Sequence, residues 1–132
     1  MSLAFPTINS AGNWIAVAIR SVPSSHALTV TDTRGNTYRR ALQLNETVDG
    51  MAVAIYYAEN IAGGSNTVTV SRPNAGETLR FPILEYSGVA LTGSLDGATG
   101  AQGTSATPNS GNVAPTSSGG LVIGVVATAN ER

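Results

Sequence analysis

The sequence predicts an all-β fold, a two-sheet antiparallel β-sandwich of the immunoglobulin-like or jelly-roll type with about eight strands. Three observations predict it: apolar residues recur with a period of two, turn residues divide these runs at short intervals, and no window shows helical spacing over three turns. The 132 residues suit one domain with one hydrophobic core. We therefore expect a single domain over residues 1–132.

The first predicted strands run from residue 13 to residue 58. Segments 13–21 and 51–58 are apolar on both faces of an extended chain, which predicts two central strands. Segment 27–31 alternates aliphatic residues with threonines, so we expect a strand with one exposed face. Residues 32–36 combine Asp with Gly, a composition typical of tight turns, and predict a hairpin into a strand at 37–41; segment 42–48 is expected to add a short strand.

The second half of the chain is less regular. Segment 66–71 shows clear alternation, and 78–87 continues it, although Pro82 lacks an N–H group and must lie at an edge or a bulge. Residues 89–120 consist mostly of Gly, Ser, Thr, Ala and Asn. We expect either an irregular excursion there or short strands around 103–106 and 112–116. Segment 121–128, LVIGVVAT, predicts a closing strand that is apolar on both faces.

Composition excludes several classes of function. The net charge is −1 and only 11% of residues are charged, so no basic surface is expected for nucleic acid or anionic lipid. The chain contains no cysteine, which excludes disulfides, thiolate zinc sites and thiol nucleophiles. No apolar run approaches the roughly 20 residues of a membrane helix. We expect no nucleic-acid partner and no membrane span.

The weakly charged composition rich in Thr, Ser and Asn is typical of secreted proteins, and we expect an extracellular or cell-surface location. The start Met1-Ser2-Leu3 has no export-signal pattern and looks like a cloning start. Because strand 121–128 lies so near the last residue, we expect a C-terminally truncated fragment. Such a fragment would expose a strand edge that pairs with another copy to form a homo-oligomer.

A set of turn and strand signatures resembles a β-sandwich module found in large exported or surface proteins of environmental bacteria. The signatures are Asp32-x-x-Gly35-Asn36-x-Tyr38, Tyr56-Tyr57-x-x-Asn60-Ile61, the sequence NTVTV at 66–70, Glu85-Tyr86-Ser87-Gly88 and Leu95-Asp96. The resemblance covers residues 13–126 and implies a sandwich with further strands after the one that matches 121–126. It implies no catalytic residues and no ligand residues.

Two candidates for catalysis have simpler interpretations. His26 follows Ser24 and Ser25, but neighbours in sequence seldom form a catalytic pair, so we favour a solvated loop histidine. Glu85 with Glu59 or Asp96 would supply the two carboxylates of a glycosidase. We favour instead a half-buried Glu85 that pairs with Arg20 or Arg80 across the sheet. No catalytic residue is assigned.

Two candidates for binding remain. Asp32 and Asn36 offer oxygen ligands for calcium, although an Asx turn without a metal is the favoured interpretation. Aromatic rings aligned on one outer face would stack against sugars, although core packing is favoured. The candidate ligand-binding residues are Trp14, Tyr38, Tyr56, Tyr86 and Glu85, with Tyr57 as a further aromatic.

These patterns lead to three functional hypotheses. The first is a non-catalytic structural or adhesive module of an exported bacterial protein, with another surface protein as its partner. The alternative is a carbohydrate-binding module that binds a glycan, with calcium as a possible aid. The third is a glycoside hydrolase, which requires two carboxylates in one cleft, about 5–9.5 Å apart.

Overall fold

A computed structural model describes residues 1–24, 27–74, 78–116 and 118–128. This part of the chain contains strands and no helix. The strands are β1 (Ser2–Ala4), β2 (Trp14–Ser21), β3 (Thr29–Asp32), β4 (Arg39–Asn45), β5 (Ala52–Ala58), β6 (Thr67–Ser71), β7 (Leu79–Arg80) and β8 (Ile83–Tyr86). Among the described residues, no helix is long and apolar enough to cross a membrane.

The strands form two antiparallel sheets, which confirms the predicted sandwich. One sheet has three strands in the order β1-β6-β3. The other has five strands: β4, β5, β2 and β7 follow one another, and β8 also pairs with β2. We call the side of the five-stranded sheet that packs on the three-stranded sheet its inner face, and the opposite side its outer face.

Strands β2 and β5 are the central pair of the five-stranded sheet, as their two apolar faces predict. They are in register from Ile15 opposite Ala58 to Ser21 opposite Ala52. Because side chains alternate along a strand, one set of apolar residues of β2 faces inward and the other faces outward. This alternation is why β2 carries apolar residues on both faces of the sheet.

The hydrophobic core lies between the two sheets. Val68 and Val70 of β6 are fully buried, while Thr67 and Thr69, which alternate with them, point outward. They meet the inner residues of β2, among them Ile15 and Val17, which are also fully buried. Burying one such side chain contributes about 1.5–3 kcal/mol relative to leaving it in water. The core therefore depends on the period of two read from the sequence.

The predicted hairpin after residue 31 is wrong. Strand β3 pairs with β6 in the three-stranded sheet, whereas β4 pairs with β5 in the five-stranded sheet. The turn at residues 32–38 therefore carries the chain from one sheet to the other, with Gly35 at φ 73°. Segments 37–41 and 42–48 are not separate strands: β4 spans the junction, with a β-bulge between Arg40 and Leu42.

Segment 78–87 is not the single strand that was predicted, because it is interrupted at Pro82. Strands β7 and β8 stand on either side of this proline, and both pair with β2. The proline has no N–H to donate, but its carbonyl accepts a hydrogen bond from the Ala18 amide at 3.4 Å. Strand β1 was not predicted, since three exposed residues carry too short a pattern to detect.

No strand occurs between residue 89 and residue 128 in the part of this region that the structure describes. Of the two alternatives for 89–120, the described residues show the irregular stretch and not the short strands around 103–106 and 112–116, and the closing strand predicted at 121–128 is wrong. Segment 121–128 nevertheless alternates in burial, with Ile123, Val125 and Ala127 half-buried and the residues between them exposed. It lacks a strand assignment because no described strand forms a ladder with it.

Candidate functional site

Three loops meet at one end of the sandwich, which we call the loop end. Asn9 and Gly64 exchange two backbone hydrogen bonds, at 3.0 and 2.9 Å. The Ala62 amide donates to Asn36 Oδ1 at 2.8 Å. Gly63 must remain without a side chain, because an added Cβ would lie 2.8 Å from the Ala11 nitrogen. The chain therefore holds loops 9–13, 32–38 and 59–66 in one compact polar region.

Asp32 ends β3 and accepts five hydrogen bonds at the loop end. Its Oδ1 accepts from the amides of Arg34 and Asn36, both at 3.0 Å, which is an Asx turn. Its Oδ2 accepts from Asn36 Nδ2 at 2.7 Å, Asn66 Nδ2 at 2.9 Å and the Tyr38 hydroxyl at 3.0 Å. Asp32 thus joins the turn to the residue that precedes β6.

The hydrogen bonds around Asp32 affect its pKa, and they also occupy the oxygens that would bind calcium. Burial works against the charged carboxylate, but the bonds from Asn66, Asn36 and Tyr38 outweigh burial and hold the pKa of Asp32 below its usual value. Burial and the nearby Asp32 charge raise the pKa of Tyr38. The oxygens proposed as calcium ligands on Asp32 and Asn36 all face N–H or O–H donors. No metal-type cluster of three or more His, Cys, Asp or Glu occurs among the described residues.

Glu85 lies on β8 and connects it to the first loop. Its carboxylate accepts from Asn9 Nδ2 at 2.7 Å, the Ser10 amide at 2.9 Å and Asn13 Nδ2 at 2.7 Å. Burial opposes the charge, yet these three bonds lower the pKa of Glu85. Glu85 is thus a half-buried acceptor for a loop.

The predicted ion pair between Glu85 and Arg20 or Arg80 is wrong. Glu85 stands opposite Ile15, whose side chain belongs to the inner face. Arg20 and Arg80 stand opposite each other on the outer face. The two sets of side chains therefore point to different sides of the same sheet.

Glu59 follows β5 and connects the sandwich to residues 89–128. The amide and the hydroxyl of Ser94 both donate to Glu59 Oε1 at 2.6 Å, and Arg39 Nη1 donates to Oε2 at 2.9 Å. These three groups lower the pKa of Glu59, the Ser94 hydroxyl most strongly. The Glu59 side chain is only 8% exposed, whereas Arg39 is 60% exposed. Neither Ser94 nor Arg39 carries a sequence signal that would have identified it.

Three aromatic side chains lie together on the outer face at the loop end. The rings of Trp14 and Tyr57 are stacked, with centroids 5.6 Å apart and planes inclined by 21°. Tyr86 is tilted by 54° against Trp14 at 6.3 Å. The indole Nε1 of Trp14 donates to Ser94 Oγ at 3.0 Å. We call Trp14, Tyr57 and Tyr86 the aromatic cluster.

The other two tyrosines predicted as ligand residues lie elsewhere. Tyr56 faces inward, where its hydroxyl donates to the Leu28 carbonyl at 3.0 Å inside the core. Tyr38 packs against the edge of the core and bonds to Asp32. The structure therefore brings together Trp14, Tyr57 and Tyr86 but separates Tyr38 and Tyr56 from them.

Two clefts open on the five-stranded sheet. A polar cleft of about 190 Å³ lies beside the aromatic cluster; it is lined by Thr37, Arg39, Glu59, Asn60, Leu91 and Thr92. A cleft of about 460 Å³ separates segment 121–128 from β2, β7 and β8. Arg20, Arg80 and Leu84 are among the residues that line the larger cleft.

Asp96 does not line either of these clefts. Asp96 is a loop acceptor, bonded by the amide of Thr116 at 2.6 Å and its hydroxyl at 2.7 Å, and these bonds lower its pKa. His26 and Ser25 lie outside the described residues, so the hypothesis that places them together stays a prediction.

No protein-family model matches this chain, and comparisons with curated proteins and with solved structures gave no match. The resemblance to bacterial surface modules therefore stays a prediction. Its Asp32-x-x-Gly35-Asn36-x-Tyr38 signature nevertheless has a physical meaning here, because three of its residues form the hydrogen bonds that hold the turn between the sheets.

Proposed function

We propose that the protein is a non-catalytic structural or adhesive module of an exported bacterial protein, located outside the cell. One observation carries the proposal: the carboxylates of Asp32, Glu59, Glu85 and Asp96 each accept hydrogen bonds from the chain's own loops. Acidic residues that hold loops in place are not available for a substrate. The weakly charged composition supports the proposed location.

The protonation of these carboxylates supports the same proposal. A glycosidase needs a general acid that stays protonated near neutral pH, and such a residue has a raised pKa. Hydrogen bonds lower the pKa of Glu59 and of Glu85, two of the three acids that the hydrolase hypothesis names. Both side chains are therefore ionised at neutral pH, in the state suited to accepting hydrogen bonds.

A hydrolysis panel combined with an unfolding measurement tests the proposal. The wild-type chain and the variants Glu85→Gln and Glu59→Gln are incubated with glycan and ester substrates, and each variant is also unfolded in urea. We expect no turnover above the buffer rate for any of the proteins. We expect Glu85→Gln to unfold at lower urea, because its new amide group faces the Asn9 and Asn13 donors.

The matched control is Glu46→Gln, which changes a carboxylate in the exposed turn after β4. The urea midpoint of Glu46→Gln should lie closer to that of the wild type than the midpoint of Glu85→Gln does. Turnover by the wild type that disappears in Glu85→Gln or Glu59→Gln would refute the non-catalytic proposal and support the hydrolase hypothesis.

A carbohydrate-binding module is the second candidate, and the aromatic cluster favours it. Trp14 and Tyr86 are half-buried on the outer face, so part of each side chain contacts solvent. Aromatic rings pack on the apolar faces of sugars, while an exposed polar group such as Arg39 bonds to hydroxyls. Stacking between Trp14 and buried Tyr57 leaves less ring surface for a ligand.

Tryptophan fluorescence tests this second candidate, because Trp14 is the single tryptophan. A panel of oligosaccharides is titrated into wild type, Tyr86→Ala and Tyr38→Phe. Binding at the cluster predicts a saturable change in wild type, loss of that change in Tyr86→Ala and its retention in Tyr38→Phe. If no oligosaccharide of the panel changes the fluorescence of the wild type, the hypothesis of carbohydrate binding at the aromatic cluster is refuted.

A further inference from the structure

The larger cleft on the outer face of the five-stranded sheet is positively charged at one end. Arg20 of β2 and Arg80 of β7 are cross-strand partners, and both line this cleft. Side chains of directly opposite residues lie on the same face of a sheet, so the pair places two guanidinium groups there. Two neighbouring positive charges in one concave site attract an anion.

Arg20 also has an unused hydrogen-bond donor at this end of the cleft. Its side chain is half-buried, and its Nε atom is buried with no hydrogen-bond partner among the residues that the structure describes. Arg20 forms no ion pair with a carboxylate in the described part of the chain. A buried donor of a charged group costs stability when it has no partner. A ligand atom that accepts a hydrogen bond from this nitrogen would remove that cost.

The rest of the larger cleft is apolar. Pro82 and Leu84 line it on the side of the sheet, and Ile123 and Val125 line the facing wall. Because a strand rises about 3.3 Å per residue, Leu84 lies about 13 Å along the sheet from the level of Arg20. The cleft therefore runs from a charged end to an apolar end, and a ligand that fills it needs the same two parts.

We propose that the larger cleft is a binding site for a carboxylate that carries an unbranched aliphatic chain. The planar guanidinium of Arg20 matches a carboxylate, which accepts two parallel hydrogen bonds from such a fork. The aliphatic chain lies between Leu84 and Val125, where both walls remove it from water. The volume of about 460 Å³ is typical of small-molecule sites. An inorganic anion such as phosphate would contact the arginines but leave the apolar walls in water.

Isothermal titration calorimetry of the 132-residue chain with octanoate tests the proposal. We expect saturable binding of octanoate at a single site. Octanol carries the same aliphatic chain without the charge, whereas acetate and inorganic phosphate carry a charge without that chain. Each of these probes should bind at least about tenfold more weakly than octanoate, because it contacts only one end of the cleft.

Variants at the two ends of the cleft test the orientation of the ligand. Arg20→Gln should weaken octanoate binding by at least about tenfold, since a neutral amide does not replace charge-assisted hydrogen bonds. Arg20→Lys keeps the charge but loses the fork, so its affinity should lie between those of Arg20→Gln and the wild type. Leu84→Ser removes apolar surface at the other end and should weaken the binding of octanoate but not that of acetate.

The matched control is Arg40→Gln, because Arg40 is an exposed arginine of β4 that does not line the cleft. This variant should bind octanoate like the wild type. Circular dichroism verifies the folding of every variant, and if Arg20→Gln does not fold, Arg20→Lys and Leu84→Ser decide the outcome.

Several results would overturn the proposal. They are an absence of octanoate binding, binding of octanol or of inorganic phosphate as tight as that of octanoate, and wild-type affinity for octanoate in the folded variants of Arg20 and Leu84. In the last case octanoate binds elsewhere on the protein. The proposal concerns the larger cleft alone, so its failure leaves the proposed function untouched.

Discussion

Residues 1–88 and residues 89–128 differ in what holds them together. In the first region, strands form ladders around a shared core, and buried amides find backbone partners there. In the second, the described residues form no ladder, and side-chain contacts such as Ser94 with Glu59 and Gln102 with Thr47 attach them to the sandwich. The comparison indicates that strand pairing stabilises the fold, while residues 89–128 cover its outer face with little regular structure.

The largest expected effect comes from comparing two valines. Val17→Ala removes two methyl groups from a fully buried position in β2, and we expect it to reduce the free energy of unfolding by about 2–4 kcal/mol. Val113→Ala makes the same change at a residue that is exposed in the second region, and should cost less than about 0.5 kcal/mol. Urea unfolding of both variants measures the difference; equal losses would mean that the two regions share one core.

A comparison of two aspartates should give the next largest effect. Asp32→Ala removes a partly buried acceptor of five hydrogen bonds between the sheets, and should reduce the free energy of unfolding by about 2–3 kcal/mol. Asp96→Ala removes the acceptor of Thr116 within the second region and should leave the urea midpoint unchanged. A midpoint that falls further in Asp96→Ala than in Asp32→Ala would contradict the division between the regions.

The sequence predicted the strands best where a two-residue alternation of apolar side chains is bounded by turn-forming residues. The alternation in β2, β5 and β6 predicted the position of these strands, and Pro82 predicted an edge or a bulge within 78–87 but not the division of that segment into β7 and β8. The residues at 32–36 predicted a turn but not its destination, because the same turn chemistry serves a hairpin and a crossing between sheets. Which strand β3 joins depends on β6, more than 30 residues later in the chain.

The candidate site was less accessible to sequence analysis. Trp14, Tyr86 and Glu85 were identified by residue type, but their partners Ser94, Asn9 and Asn13 are common polar residues in loops. Ser94 lies 80 positions from Trp14, and no local pattern brings the two together. Segment 121–128 was predicted as a strand because its composition is correct for one, yet a strand also requires a partner that composition does not supply.

Lowering the pH should destabilise residues 1–88, because their hydrogen-bonded carboxylates become protonated. The pKa of Asp32 is lowered in the folded state, so its contribution is fully present above the unfolded pKa of about 3.9 and is lost as the pH falls through the folded value. The pKa of Glu85 is also lowered in the folded state, so its contribution to stability is likewise lost as the pH falls. We expect stability to be level above about pH 5 and to decline below about pH 4. The variant Asp32→Asn should be less stable than the wild type at neutral pH, and its free energy of unfolding should fall less steeply as the pH is lowered. Urea unfolding at each pH measures this dependence. If the free energy of unfolding falls equally steeply with pH in both proteins, Asp32 does not contribute to the acid sensitivity.

The smallest expected effect concerns the contact that joins the two regions. Trp14→Phe keeps a ring against Tyr57 but removes the indole N–H that donates to Ser94, a loss of about 0.5–1.5 kcal/mol at most. Because Glu59 still accepts from Ser94, residues near Ser94 should open more often without unfolding the sandwich. Hydrogen exchange should therefore quicken around residues 91–95 and stay unchanged in β2 and β5. Ser94→Ala, which also removes the hydroxyl bond to Glu59, should quicken it further. If exchange in these variants rises as much in β2 as in residues 91–95, the contact between Trp14 and Ser94 opens only when the core itself unfolds.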